Sequence, residues 1–471
     1  MSLATSVVYS ALLPAFLPIH VLFGSGLRKA LAAAQTAPEV PQMLGRDPTT
    51  ADLPTATKID PPVELDYLEH RSAAYVAVLA LDSCWEAARA VTGENTAEAV
   101  SDADLARDFM SSPVAFLIHR TDADDAWVLD CASIRNGRWF NADRFDITKF
   151  VFDVPSGRFE LHDAQGRVHR PGDALWLGAK RKLIGMVSVW VPAEGHAWSH
   201  FWLPDVVAAT VHASLPRDTN VYRLLAPHTR FTNRHNHAGL WIQRSVDNSP
   251  ASGKRMVPWY ALPITAPDMR KALMEEAGRY HRSADHFTLP ERLDRRLAYF
   301  DYLVAYFEVI DAFVGRLMPE LEADAYAAWA ATVEPWYPGF ATIPMQRALA
   351  MIVWHMGVAH AADHLTYVAW GRRYGTSEVA TSIEDLAKGA SAYDRYRFLA
   401  FINNFGDYRP PTTGLDLRLA TSSEAYGFPA GSAAEGAGKQ FAADLGALDA
   451  RLSAEGKALV PLDNLIRSIC F

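Results

Sequence analysis

The chain of 471 residues is half hydrophobic, 11% aromatic and 21% charged, a balance that excludes a disordered polymer and provides for a large buried core. Its net charge of -9 is spread along the sequence without a Lys/Arg block, which argues against nucleic acid as a partner. Cys84, Cys131 and Cys470 are too few and too scattered for a disulfide framework or a cysteine-type zinc site, so any metal must be held by histidine and carboxylate.

Ser2 to Leu27 carry no charged side chain until Arg28 follows, and include LLPAFLPIHVLF, in which Pro14 and Pro18 interrupt a helix. This segment reads as a peripheral membrane contact or a lid, with a cleaved signal or ordinary packing as alternatives, and it fits a cytoplasmic or membrane-peripheral location with secretion as the other option. From Ala37 to about Glu64 the Pro, Thr and Ala content and repeated turn chemistry (APEVP, RDPTTADLP, IDPPVE) predict an extended arm. The chain therefore divides into an apolar segment and Pro-rich arm over 1–64 and one large, mainly α domain over 65–471.

Tyr67 to Met110 has apolar residues at helical spacing, and Ser101 with Asp104 forms a capping box. Between Val114 and Val168 the period changes to two, in AWVLDC, KFVFDV and RFELHD, with SGR and AQGR as turns, which predicts a small antiparallel sheet. The helical period returns at Trp176. The run RRLAYFDYLVAYFEVIDAFVGRLM is too long and too apolar for a surface helix. FPAGSAAEGAGK reads as a loop before a last amphipathic helix and an apolar tail, NLIRSICF. No internal repeat is present, which disfavours a solenoid.

Sixteen histidines make one pair at helical spacing unremarkable by chance. Two pairs are different. His196 and His200 lie four apart in EGHAWSHFW, and His360 and His364 lie four apart in VAHAADHLTY, so on α-helices each pair presents both imidazoles on one face. Both segments are apolar, where a histidine without a partner carries a desolvation cost of roughly 1–3 kcal/mol; a shared metal would satisfy all four rings. In α geometry His355 points about 140° away from His360 and His212 about 120° from His200, so both are assigned to packing or hydrogen bonds. Four neutral imidazoles suit iron, manganese, copper or zinc, and the chain-terminal carboxylate is a candidate anion that would favour redox iron.

At these residues the chain resembles the lipoxygenase family, from about Ser101 to the end. SDADLARDFMSSP resembles a T-D-E-E-F-A-R-E-M helix followed by N-P, DAWVLD the strand after it, WLGAK a W-L-L-A-K segment, and HAADH an H-A-A-x-N/H motif. NVYRLLAPHTRFTNRHNHAG, residues 220–239, is similar to Y-K-L-L-x-P-H-x-R-x-x-x-x-I-N.

The resemblance implies a helical catalytic domain without the family's N-terminal β-sandwich, and iron, with manganese as alternative, held by His196, His200, His360, His364 and the carboxylate of Phe471. It implies a non-haem dioxygenase in which a metal-bound hydroxide, with no side-chain base assigned, abstracts hydrogen from a polyunsaturated fatty acid or related apolar polyene before O2 adds. Gly239 falls beside the implied oxygen site, where glycine accompanies R products, and Arg230 and Asn236 fall in supporting positions. The first pair is spaced H-x3-H where the family has H-x4-H on a bulged helix; an ungapped match would instead place Val191 and His196 there, which is rejected because valine cannot bind a metal. FINNFGDY, with Asn404, resembles a family N-F-G-x-Y but has Ala400 four residues earlier, and is set aside as a decoy. Alternatives are an enzyme of the same fold acting on a non-lipid biosynthetic intermediate or rearranging hydroperoxides, and a metal-free carrier of apolar ligands or a membrane-associated scaffold.

Overall fold

The computed structural model describes residues 100–121, 125–137, 142–191, 202–229, 284–335, 337–363, 382–388 and 423–466, together with 195, 232, 365 and 366. The apolar segment and arm over 1–64 lie outside the described residues, as does most of the helical stretch before Ser101.

Five strands, β1 (Ile118–Arg120), β2 (Trp127–Asp130), β3 (Ile147–Asp153), β4 (Arg158–Asp163) and β5 (Val168–His169), form an antiparallel sheet in chain order. The turns predicted at SGR and AQGR hold Gly157 and Gly166 at φ of 71° and 78°, a region that glycine enters without steric cost. Strict alternation along β4 turns Phe159, Leu161 and Asp163 inward, and Phe159 and Phe152 both stack on Phe150.

Among the described residues the α-helices of five residues or more are α1 (Asp102–Met110), α2 (Trp176–Trp190), α3 (Trp202–Ser214), α4 (Asn220–Thr229), α5 (Ala298–Leu317), α6 (Ala323–Val333), α7 (Met345–Trp354), α8 (Ile383–Ala387) and α9 (Ala433–Ala454). The Ser101 hydroxyl caps α1 by accepting from the Asp104 amide at 3.0 Å, as the capping box predicts. Helix α2 is buried over 13 of its 15 residues, which is why its sequence is apolar on every side. Its buried Lys180 donates to Asp102 at 2.7 Å and to the Val100 carbonyl at 2.6 Å, pinning α2 to the start of α1.

Helix α5, the predicted interior helix, buries 12 of 20 residues and packs against α7 and α9. Phe313 stacks on Phe441 of α9 at 4.0 Å between centroids, and the Trp354 indole donates to the Leu303 carbonyl at 2.8 Å to join α7 to α5. Each such buried aromatic side chain contributes about 1.5–3 kcal/mol by leaving water.

One expectation is corrected. FPAGSAAEGAGK is a loop only as far as Ser432, and AAEGAGK is the first part of α9. Ser432 accepts from the Glu435 amide at 3.1 Å, while Glu435 accepts from the Gly431 amide at 2.8 Å. The Ser432 cap, with Glu435 reaching back to the residue before it, starts a helix in a segment whose glycines and alanines read as loop.

The small helix α8 lies directly on α2. A methyl group at Gly178 would collide with the Ile383 carbonyl and the Ala387 backbone, so glycine, where the resembled segment has leucine, is what admits α8. Asp163 accepts from Arg167 at 2.6 Å and from His169 at 3.0 Å, and Arg167 continues to Glu384 of α8 at 2.8 Å, which ties the sheet to the same layer.

Candidate metal centre

Helix α7 does not continue as an α-helix into the HAADH motif. His355–Ala359 form a π-helical turn in which the His360 amide donates to the His355 carbonyl, five residues back, before helix resumes over 360–363. Such turns occur mostly as single bulges inside helices, frequently at functional sites. The rotation that placed His355 about 140° from His360 assumed α geometry. With a five-residue turn between them the two positions follow each other around the axis far more closely. The five-residue spacing of His355 and His360 is the H-x4-H pattern of a bulged helix, and that was the signal available in the sequence.

His360 is 1% exposed and Asp363 fully buried. The Tyr299 hydroxyl of α5 donates to Asp363 Oδ1, and the contact pushes the phenol pKa, already raised by burial, further up. His355 Nδ1 and His286 Nε2 lie 3.2 Å apart, both rings buried, which gives His355 the structural bond expected of it. His212 likewise meets Thr229 Oγ1 at 3.0 Å, and His228 of the PHTR stretch meets the Tyr426 hydroxyl at 3.1 Å. Sequence reasoning did not find Tyr299, His286 or Tyr426, because each partner is distant along the chain.

The apolar tail docks on the π turn. The Ile466 amide donates to the Gly357 carbonyl at 2.6 Å, and Ile466 is itself fully buried at φ 53°. This anchor stands three residues before His360 on one side and five residues before Phe471 on the other. Five residues span at most about 18 Å when extended.

Helix α2 also leaves α geometry: Val191 and Gly195 are π-helical, and Val191 is buried. A side chain at Gly195 would strike the Trp190 ring. His196, His200, His364, Phe471, Gly239, Arg230, Asn236 and Asn404 all lie outside the described residues. Among the described residues no three His, Cys, Asp or Glu side chains converge as a metal site. What is described fits a metal held by imidazole: one buried histidine, His360, on a bulged helix, with the tail anchored about one turn away.

No helix among the described residues is long and apolar enough to cross a membrane. Neither a family model nor a curated protein matches the sequence. Solved structures do match. Coral 8R-lipoxygenase aligns at a TM-score of 0.63 and 14% identity over 89% of this chain and 77% of that one. A lipoxygenase variant in complex with arachidonate aligns at 0.62 and 13%, over 89% and 78%. Manganese lipoxygenase of Gaeumannomyces graminis aligns at 0.54 and 12%, over 79% and 80%. The chain thus has the lipoxygenase fold.

Proposed function

We propose that the protein is a metal-dependent dioxygenase that inserts O2 into a polyunsaturated fatty acid or a related apolar polyene. The observation that carries this reading is buried His360 at the end of a π turn on which the chain's tail is docked, within a lipoxygenase fold. The ligand set we assign is His196, His200, His360, His364 and the carboxylate of Phe471, with iron as the metal and manganese as the alternative; neighbours of this fold include a manganese enzyme and one crystallised with arachidonate.

When bound, the metal supplies the one-electron chemistry that removes a hydrogen atom from a methylene between double bonds. The residues of the chain do the rest. Neutral imidazoles and one carboxylate leave the ion redox-active, and the apolar, fully buried faces of α2 and α7 exclude water and favour a hydrocarbon substrate. Positioning then selects which methylene reacts. Gly239 is assigned to the oxygen side of the site, with R stereochemistry as its consequence. The N-terminal apolar segment is assigned to peripheral membrane contact, where such substrates partition.

Metal quantification on the purified full-length chain, combined with oxygen uptake on a panel of polyunsaturated acids, tests the reading. Iron or manganese near one per chain with oxygen consumption is the expected result. Protein that binds fatty acids without either metal would instead be a carrier.

A further inference from the structure

Two buried histidines far apart in the chain meet where the π turn begins. His286 Nε2 and His355 Nδ1 are 3.2 Å apart, and the two residues are 2% and 0% exposed. Apolar side chains would fill this space at lower cost, because burying an imidazole gives up hydration that a hydrogen bond only partly offsets. What the pair adds over apolar packing is direction, since a hydrogen bond restricts the angle at which one ring meets the other.

His286 is itself held on the helix it meets. It lies in the 3-10 turn Ala284–Thr288, whose buried Phe287 packs edge-on against Tyr337 and Phe340, with centroids 5.7 Å away in each case. Arg347, in the first turn of α7, donates through Nε to the Phe287 carbonyl at 2.5 Å and through Nη2 to Glu291 at 2.6 Å. This short segment is therefore fastened along the helix at two points, Arg347 and His355, which an α-helical rise sets about 12 Å apart. A helix gripped only near its start can slip in register at its end; a second grip removes that freedom.

The second grip falls on the residue that opens the π turn. His355 gives its carbonyl to the His360 amide, so its backbone closes the turn while its side chain is fixed from outside. In α geometry His360 would stand about 140° from His355 around the axis, and the π turn brings it closer to the same side. The register that this segment takes therefore decides where the His360 imidazole points. The Ile466 amide holds the middle of the turn at Gly357, and His286 holds its start.

We propose that His286 is a positioning residue for the metal centre: through His355 it locks the π register and so sets the direction in which His360 presents its imidazole. It acts through the helix and not by contact with the ion or the substrate. The register lock stands on the bonds just described. Its consequence for a metal rests on the dioxygenase reading, which supplies His360 as a ligand.

Three full-length variants test this: His286→Phe, which fills the space without the bond; His286→Gln, whose side-chain amide can still meet His355 Nδ1; and Gly178→Ala, which lowers stability at the contact of α2 with α8. Cobalt(II) is added to each metal-free protein, its affinity is read by competition with a chelator, and its d–d absorption bands report the geometry of its ligands. His286→Phe is expected to bind cobalt about tenfold more weakly, a loss of the size seen when a residue that orients a ligand is removed, and to show displaced bands. His286→Gln should return both towards the native values, and Gly178→Ala should melt lower with native bands. Native affinity and native bands in His286→Phe, or the same band displacement in Gly178→Ala, overturn the proposal. Should His286→Phe fail to fold, His355→Phe breaks the same bond from the other side and decides, with cobalt retained and bands displaced as the expected result. A native chain that takes up no cobalt fails the dioxygenase reading, and hydrogen exchange of the metal-free proteins then decides the register lock alone. Amides 357–363 should exchange about tenfold faster in His286→Phe than in the native chain, because a turn that has lost a hold opens more often; unchanged exchange there overturns the lock.

Discussion

The amide of Ile466 donates to the carbonyl of Gly357 at 2.6 Å, joining the tail of the chain to the middle of a π-helical turn more than a hundred residues earlier. A π turn shifts the register of the helical ladder, and here one of its carbonyls serves the tail. The contact also holds Ile466 at φ 53°, where a β-branched residue is a true outlier that only a well-determined surrounding can maintain.

Ile466→Pro removes this donor and cannot adopt a positive φ. Leaving the buried Gly357 carbonyl without the amide costs about 1–3 kcal/mol, to which the proline strain adds. The expected outcome is a lower denaturant midpoint together with loss of bound metal, read by urea titration and by metal quantification. A variant that keeps its full metal complement would show that the tail anchor plays no part in the centre.

His360 and His355 stand at either side of the same turn but are assigned different work. His360→Ala should abolish metal binding with the fold retained. His355→Phe should keep the metal while losing the bond to His286, at a cost of about 1–3 kcal/mol in unfolding free energy. Metal content and thermal melts of the two variants compared side by side check this. The reverse pattern would move the ligand assignment from His360 to His355.

Gly178→Leu restores the residue of the resembled segment and should be harmful here. Its Cβ would meet the Ile383 carbonyl, so α8 must shift off α2. Overpacking of this kind costs about 1–3 kcal/mol or more, and the loss should appear as a lowered melting temperature. The Arg181 bond to the Leu386 carbonyl and the Arg167 bond to Glu384 would be disturbed with it. Gly178→Ala meets the same carbonyl and should be destabilised nearly as much.

Burial, with Arg217 adding to it, lowers the His212 imidazole from its ordinary 6.5 to about 4. The unfolded chain therefore binds a proton at this residue before the folded protein does. The contribution of His212 is fully present above about pH 6.5 and is lost as the pH falls from there towards 4, by about 3 kcal/mol. His212→Gln can still meet Thr229 but does not titrate. Urea unfolding between pH 7 and pH 4 should show a shallower decline for the variant, and parallel curves would contradict the shift.

Much of this protein was written locally. Period-two runs announced β2, β3 and β4, the Ser101–Asp104 box announced the start of α1, and the apolar density of residues 295–318 announced a helix inside the core, because these signals depend on neighbours a few residues apart. Motifs such as WLGAK and HAADH carried the resemblance that the fold of coral 8R-lipoxygenase and its relatives matches. The start of α9 reads as loop in the sequence because glycine and alanine mask the Ser432 cap.

The π turn at His355–Ala359 was decided by tertiary packing, since a helix accepts a misregistered ladder when a distant group, here the Ile466 amide, takes up a freed bond. The same holds for the pairing of Tyr299 with Asp363, 64 residues apart, and of His286 with His355, 69 residues apart. Residue spacing fixes which side chains share a face of one element; which faces meet, and which buried polar group answers another, follows only from how the elements pack.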